Sequence, residues 1–178
     1  LFLDRDGTII DLIDYLSDPR QVVLIPGMVS LLHDFRVAGK AIVMVTNQSG
    51  VGRGYFGWKE FAAVQNRIYE LLAEENLWID AVYACSHPPS SAGGPENSEF
   101  RKPAPGMLFQ ASAELGLDLS ASVIVGDTAA DLEAGKCAGL KLGGLVTTGY
   151  GENVIEREKA LRLSDDKFNV TFDLQMLV

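Results

Sequence analysis

Ala41-Ile42-Val43-Met44-Val45-Thr46-Asn47-Gln48-Ser49-Gly50 decides how the rest of the chain is read. Its first five residues are apolar without a break, where a strand with one face in water would alternate. Such a run is expected of a strand covered on both faces, as in a parallel sheet flanked by helices. The run then stops at a hydroxyl, two amides and Ser-Gly, which is turn chemistry. A buried strand that ends in polar groups is the recurring unit of this sequence.

Upstream, Met28, Leu31, Leu32 and Phe35 have helical spacing, with Gly39 as a stop, and Leu1-Phe2-Leu3 is the stub of a buried strand ending at Asp4. Downstream, Phe61, Val64, Ile68, Leu71 and Leu72 mark one face of a long helix, and Ala81 to Ala84 reads as a strand. Pro88 to Ser98 is rich in Pro, Ser and Gly and reads as loop. Pro105 to Leu115 is helical, with Pro105 near its first turn. Ser122 to Val125 is a strand, Asp127 to Ala138 a helix, Leu142 to Val146 a fifth strand, and Phe168 to Phe172 an edge strand. Strand–helix alternation predicts an α/β fold, a doubly wound, mostly parallel, Rossmann-like sheet with helices on both faces. In such folds ligands sit at the carboxyl ends of the strands.

With 178 residues the chain fits one domain, 1–178, able to bury a core without disulfides. Hydrophobic residues make up 47% and charged residues 22%, the balance of a globular protein. The 15 basic and 24 acidic residues leave a net charge of -9, which argues against nucleic-acid or anionic-membrane partners. It leaves room for one phosphate-sized anion held by a few local cations. Cys85 and Cys137 do not make a disulfide framework. No apolar run approaches the roughly 18 residues of a membrane span, and no signal peptide is recognisable. The cytoplasm is the default compartment, and a monomer or small homo-oligomer is expected. Leu1 stands inside a strand with no preceding Met, so a short segment is expected before it.

The strand ends carry the chemistry. Asp4-Arg5-Asp6-Gly7-Thr8 follows the first strand, Thr46-Asn47-Gln48-Ser49-Gly50 the second, Arg101-Lys102-Pro103 comes before the fourth, and Gly126-Asp127 ends it with Asp131 a helical turn on. Taken singly, each is ordinary turn chemistry. Together they gather carboxylates that repel one another, for which a hard divalent cation with oxygen ligands is the natural resident. Few protein ligands plus water and a substrate phosphate suit Mg²⁺ better than Ca²⁺.

In this order the motifs resemble the haloacid dehalogenase superfamily of phosphatases, over nearly the whole chain. More narrowly, Asp4 to Ile9, Tyr15, Thr46 to Gly54, Arg101 to Met107 and Gly126-Asp127 look like the branch of heptose-bisphosphate and histidinol-phosphate phosphatases. The resemblance implies a Mg²⁺-dependent phosphomonoesterase acting on a small phosphorylated metabolite, a sugar phosphate or bisphosphate. Asp4 would be the nucleophile and Asp6 the acid and base, the latter kept protonated by like charges around it. Thr46 and Lys102 would bind the transferring phosphoryl group. Asp4, the backbone carbonyl of Asp6, and Asp127 would hold the metal. Asn47, Arg53 and Arg101 would contact substrate. Asp131 is either a charge in the first turn of a helix or a support near the metal.

Several departures from that branch bear on specificity. A zinc loop there carries Cys-x-His at its start and Cys-x-Cys at its end. Here Cys85-Ser86-His87 keeps the first half, but Ser98-Glu99-Phe100 lacks both thiolates, so no zinc is expected. Thr128 replaces a lysine common after the metal Asp, and Ile10 a common Asn, both reducing polar contact expected at the pocket. The gaps between strands leave no room for a separate cap domain, so specificity falls to short loops, Asp11 to Pro19 and Ser86 to Phe100. A receiver-like phospho-acceptor module would share a strand-end Asp, a Thr and a Lys. Asp6 argues against it, because a second Asp two residues on destroys a long-lived aspartyl-phosphate.

Overall fold

A computed structural model describes residues 1–96 and 98–178; Asn97, in the expected 88–98 loop, lies outside the described residues. Among the described residues, six parallel strands form one sheet: β1 (Phe2–Leu3), β2 (Val43–Asn47), β3 (Ala81–Cys85), β4 (Val123–Gly126), β5 (Leu142–Leu145) and β6 (Asn169–Thr171). Their order is β3-β2-β1-β4-β5-β6. The chain winds outward from β1 through β2 and β3, then returns to the far side of β1 for β4. This reversal opens a crevice at the carboxyl ends of β1 and β4.

The helices are α1 (Pro26–Val37), the short α2 (Ser49–Gly52), α3 (Trp58–Glu74), α4 (Gly106–Leu115), α5 (Ala129–Cys137) and α6 (Val154–Leu161). Alternation along each strand sends side chains to two separate cores. Leu3, Met44 and Val125 pack on one face with Leu31, Leu32 and Phe35 of α1 and Val64, Ile68 and Leu72 of α3. Phe2, Val43, Val45 and Ile124 pack on the other with Met107, Leu108 and Ala111 of α4, and Leu132 and Ala134 of α5. Each fully buried Leu, Ile, Val or Phe contributes about 1.5–3 kcal/mol. The continuous apolar run of β2 is thus explained by two helical layers.

Three details differ from the sequence expectations. The ladder of β2 begins at Val43 and runs on through Thr46 and Asn47, which pair with Ala84 and Cys85. Polar side chains at a sheet's carboxyl edge do not stop backbone pairing. Helix α6 is unanticipated: its large apolar residues Val154, Ile155 and Leu161 face outward and small Ala160 is buried. Ile10 is fully buried in the first core, so its replacement of a polar residue does not touch the cleft. Among the described residues, no helix is long and apolar enough to cross a membrane.

Candidate active site

Asp4 follows β1 directly, and its backbone N–H donates to the Val125 carbonyl at 2.9 Å, fixing it beside β4. The Asp4 carboxylate accepts from Lys102 Nζ at 2.6 Å. Lys102 is buried, and its ammonium also reaches the Val45 carbonyl at 2.7 Å and Asp131 Oδ1 at 2.5 Å. Three acceptors meet three protons. Burial alone would discharge this lysine, but Asp131 and Asp4 outweigh it and raise its pKa. Asn47 supports the arrangement from β2, since both ends of its amide are spent on the Lys102 backbone, at 3.0 Å each.

Asp127 closes β4. Its Oδ2 accepts from the Tyr150 N–H at 2.8 Å, and a Cβ at either Gly7 or Gly149 would run into its carboxylate. Both glycines have positive φ, +79° and +55°, so the chain needs glycine there for conformation and for space alike. Thr148 Oγ1 donates to the Gly7 carbonyl at 2.7 Å and ties the two turns together.

Asp4, Asp127 and Asp131 are all buried, and one carboxylate oxygen of each lies within 4.8 Å of the others. Burial, then repulsion from Asp131 and Asp6, raises the Asp4 pKa to about 7 against the pull of Lys102. Burial with the Asp4 and Asp131 charges raises that of Asp127 to about 8. One lysine does not balance three such carboxylates. Asp131 also accepts from Thr128 Oγ1 at 2.6 Å and Thr128 N–H at 3.0 Å, closing a capping box on α5. One side chain thus caps α5 and pairs with Lys102.

Asp6 is held differently from expectation. The guanidinium of Arg5 donates to both its oxygens at 3.1 Å, and Gln48 Nε2 donates to Oδ2 at 2.8 Å and to Thr46 Oγ1 at 2.9 Å. Its immediate neighbours are donors, where the sequence suggested surrounding like charges. Arg5 is 1% exposed and lies 5.1 Å from the Phe61 ring centroid. Sequence reasoning passed over Arg5, Gln48 and the Thr128–Asp131 cap; the last was readable as Thr-x-x-Asp ahead of a helix.

These groups line one side of a cleft of about 670 Å³. Leu12 to Leu16 and Phe56 also line it, as do Tyr150, Asn153, Glu156 and Lys159. The Asp11 to Pro19 loop thus reaches the cleft as expected. None of the described residues of the Ser86 to Phe100 loop lines it, whereas Arg101, next in the chain, does. Arg101 Nη1 donates to the His87 carbonyl at 2.8 Å, and its N–H to Ser98 Oγ at 3.2 Å. Ser98 Oγ is also 2.7 Å from His87 Nδ1 and 3.9 Å from Cys85 Sγ. Arg53 does not line the cleft, though its charge, after burial, helps lower the Arg101 pKa against the opposing influence of Cys85.

The sequence and fold have counterparts among known proteins. Residues 99–166 match the HAD-hydrolase-like family model. A D-glycero-beta-D-manno-heptose-1,7-bisphosphate 7-phosphatase of Mesorhizobium japonicum is 49% identical over 164 residues, 91% of this chain and 74% of that protein. The enzyme of that name from Haemophilus influenzae is 39% identical, over 84% of this chain and 82% of its own. Among solved structures, the D,D-heptose 1,7-bisphosphate phosphatase of B. bronchiseptica, complexed with magnesium and phosphate, superposes with a TM-score of 0.80 at 30% identity. That match covers 98% of this chain and 92% of the other. With relatives this similar along most of its length, and the strand-end carboxylates assembled around one buried lysine, the chain belongs to the haloacid dehalogenase-like hydrolases, in the branch of the heptose-bisphosphate phosphatases.

Proposed function

We propose that the chain removes the 7-phosphate of D-glycero-D-manno-heptose 1,7-bisphosphate, with Mg²⁺ held by Asp4, Asp127 and the backbone carbonyl of Asp6. The observation that carries this is the buried Asp4–Lys102–Asp131 chain beside Asp127, which leaves negative charge uncompensated in a chain 49% identical to a relative named for this reaction. The donor set fits a hard dication: carboxylate and carbonyl oxygens only, with raised carboxyl pKa values that a bound cation would bring down. Held by these residues, Mg²⁺ would supply positive charge to offset the carboxylates and the substrate phosphate.

The chain's own residues divide the rest of the work. A carboxylate oxygen of Asp4 attacks phosphorus in line, and the bond to the sugar oxygen breaks as Asp6 delivers a proton to it. Asp6 then takes a proton from the water that attacks the aspartyl-phosphate, releasing phosphate and restoring Asp4. Lys102 exchanges one of its three acceptors for a phosphoryl oxygen, and Thr46 donates to another. Gln48, bonded to both Thr46 and Asp6, keeps the phosphoryl contact and the acid in register. Arg101, backed by the nearby charge of Arg53, meets the second phosphate at the cleft mouth. Asn47 positions Lys102 through its backbone.

Turnover of a panel with Mg²⁺ tests the reading: both anomers of the heptose 1,7-bisphosphate, histidinol phosphate, and an oligonucleotide 3′-phosphate. A kcat/KM for one heptose anomer at least about tenfold above the others is expected. A preference for histidinol phosphate overturns the substrate, and absence of any phosphate release overturns the reaction.

A further inference from the structure

Among the described residues, two non-glycine positions have φ in the left-handed region, Asn76 at +57° and Tyr15 at +54°. Asn76 follows the end of α3, where asparagine tolerates that conformation. Tyr15 has no such excuse. It occupies the third position of a turn closed by the Leu16 N–H on the Ile13 carbonyl at 3.3 Å, a place where glycine or asparagine is unstrained. A bulky side chain held there marks strain that the surroundings enforce, and such strain gathers at ligand sites.

The strain is not offset by burial. Tyr15 is 46% exposed and lines the cleft. Its ring is braced from behind the turn: Tyr55 stands at 88° to it with centroids 4.7 Å apart. Gly50, just beyond the polar end of β2, leaves the room that Tyr15 and Phe56 use, since a Cβ there would strike the Phe56 ring and come within 3.0 Å of Tyr15 Cδ1. Tyr150, which lines the same cleft, donates its backbone N–H to Asp127. Tyr15 and the strand-end carboxylates Asp4 and Asp127 thus line one cleft, the space that the alcohol part of a phosphate ester must enter.

We infer that Tyr15 is a platform for the carbon skeleton of the leaving group, taking the C–H-bearing face of a sugar ring. Asp14, Asn153 and Glu156 line the same cleft and supply polar partners for the hydroxyl rim. This rests on the sugar-phosphatase reading and deepens it, by making ring shape a determinant of specificity independent of the two phosphates.

Kinetics of the parent, Tyr15→Phe and Tyr15→Gly on heptose 1,7-bisphosphate and on acetyl phosphate, which has no ring, test the inference. The expected result is a KM for the bisphosphate raised about tenfold in Tyr15→Gly and little changed in Tyr15→Phe. Acetyl phosphate turnover should stay within about twofold in both, and the melting temperature of Tyr15→Gly should not fall, because relief of the left-handed strain offsets the lost Tyr55 contact. Equal losses on both substrates, a Phe variant as impaired as the Gly variant, or a lower melting temperature with unchanged KM would overturn the platform while leaving the phosphatase reading intact. A parent that turns over acetyl phosphate but shows no preference for the bisphosphate overturns both.

Discussion

Asp131 Oδ1 lies 2.5 Å from Lys102 Nζ, and its other oxygen caps the helix on which Asp131 itself sits. Helix α5 and the active-site lysine are therefore braced by one carboxylate. Asp131→Asn keeps an acceptor for the Thr128 cap but removes the charge, leaving a buried ammonium with Asp4 as its one carboxylate. Breaking a buried pair in this way costs about 3 kcal/mol, and kcat should fall about tenfold or more as Lys102 loses its aim. Asp131→Ala should cost about 1 kcal/mol beyond that, for the cap. Urea unfolding beside steady-state rates reads both effects. A stable, fully active Asp131→Asn variant would reduce Asp131 to a helix cap.

Stability should depend on pH through Asp4 and Asp127. Both carboxyls titrate near 7 and 8 when folded and near 4 in an unfolded chain. The folded chain thus holds more protons across that window, and its stability falls as pH rises from about 4 to about 8. Mg²⁺ should reverse the loss where the carboxylates are ionised: about 3 kcal/mol of stabilisation at a hundredfold excess over its dissociation constant, at pH 8 and far less at pH 5. Melting curves in chelated and Mg²⁺-loaded buffer across this range give the comparison. A flat profile without Mg²⁺ would mean that the cluster is not strained by its own charge.

Much of this was legible in the sequence because it rests on local pattern. The unbroken apolar run of β2 and the 3-4 spacing in α1 and α3 announce two cores, and a parallel sheet then puts every strand-end residue on one rim. What was hidden was long-range or inverted. Gln48 reaches Asp6 across 42 residues of sequence, and no spacing rule joins them. Arg5 stood in plain view between two aspartates, but its burial and its grip on Asp6 depend on Phe61 of α3 and the rim geometry. Helix α6 turns its large apolar residues to solvent, so periodicity could not find it, and with it the cleft residues Glu156 and Lys159 were missed.

The division of labour between the two aspartates at β1 is open to direct test. Asp4→Asn removes the attacking oxygen and should reduce turnover below about one part in a thousand. Asp6→Asn retains the backbone carbonyl, the Arg5 contact through its amide oxygen, and Asp4. Proton transfer is what it loses, typically worth about 10²–10⁴ in rate. Hydrolysis of the aspartyl-phosphate should then lag its formation, so acid quenching with ³²P-labelled substrate should trap labelled protein. Normal steady-state rates in Asp6→Asn would assign the proton to another group.

Ser98 supplies the last expectation. Its hydroxyl lies 2.7 Å from His87 Nδ1, 3.9 Å from Cys85 Sγ and 3.2 Å from the Arg101 N–H that it accepts. Among the described residues, the one set of three or more His, Cys, Asp or Glu side chains within reach of a single ion is Asp4, Asp127 and Asp131, which includes neither Cys85 nor His87. A hydroxyl network thus fastens the loop to the arginine, with the His87 carbonyl gripping the guanidinium itself. Ser98→Ala should loosen Arg101 and raise KM for the bisphosphate several-fold while kcat holds, the cost of one hydrogen bond of about 1 kcal/mol. Cys85→Ser, at the long end of the network, should leave hydrolysis nearly unchanged. Purified protein should carry no stoichiometric zinc, and a chelator in Mg²⁺-free buffer should not lower its melting temperature. About one zinc per chain by elemental analysis would sink this account and would make Glu99 the first further ligand to replace, because a structural zinc contributes on the order of 10 kcal/mol that a serine cannot supply.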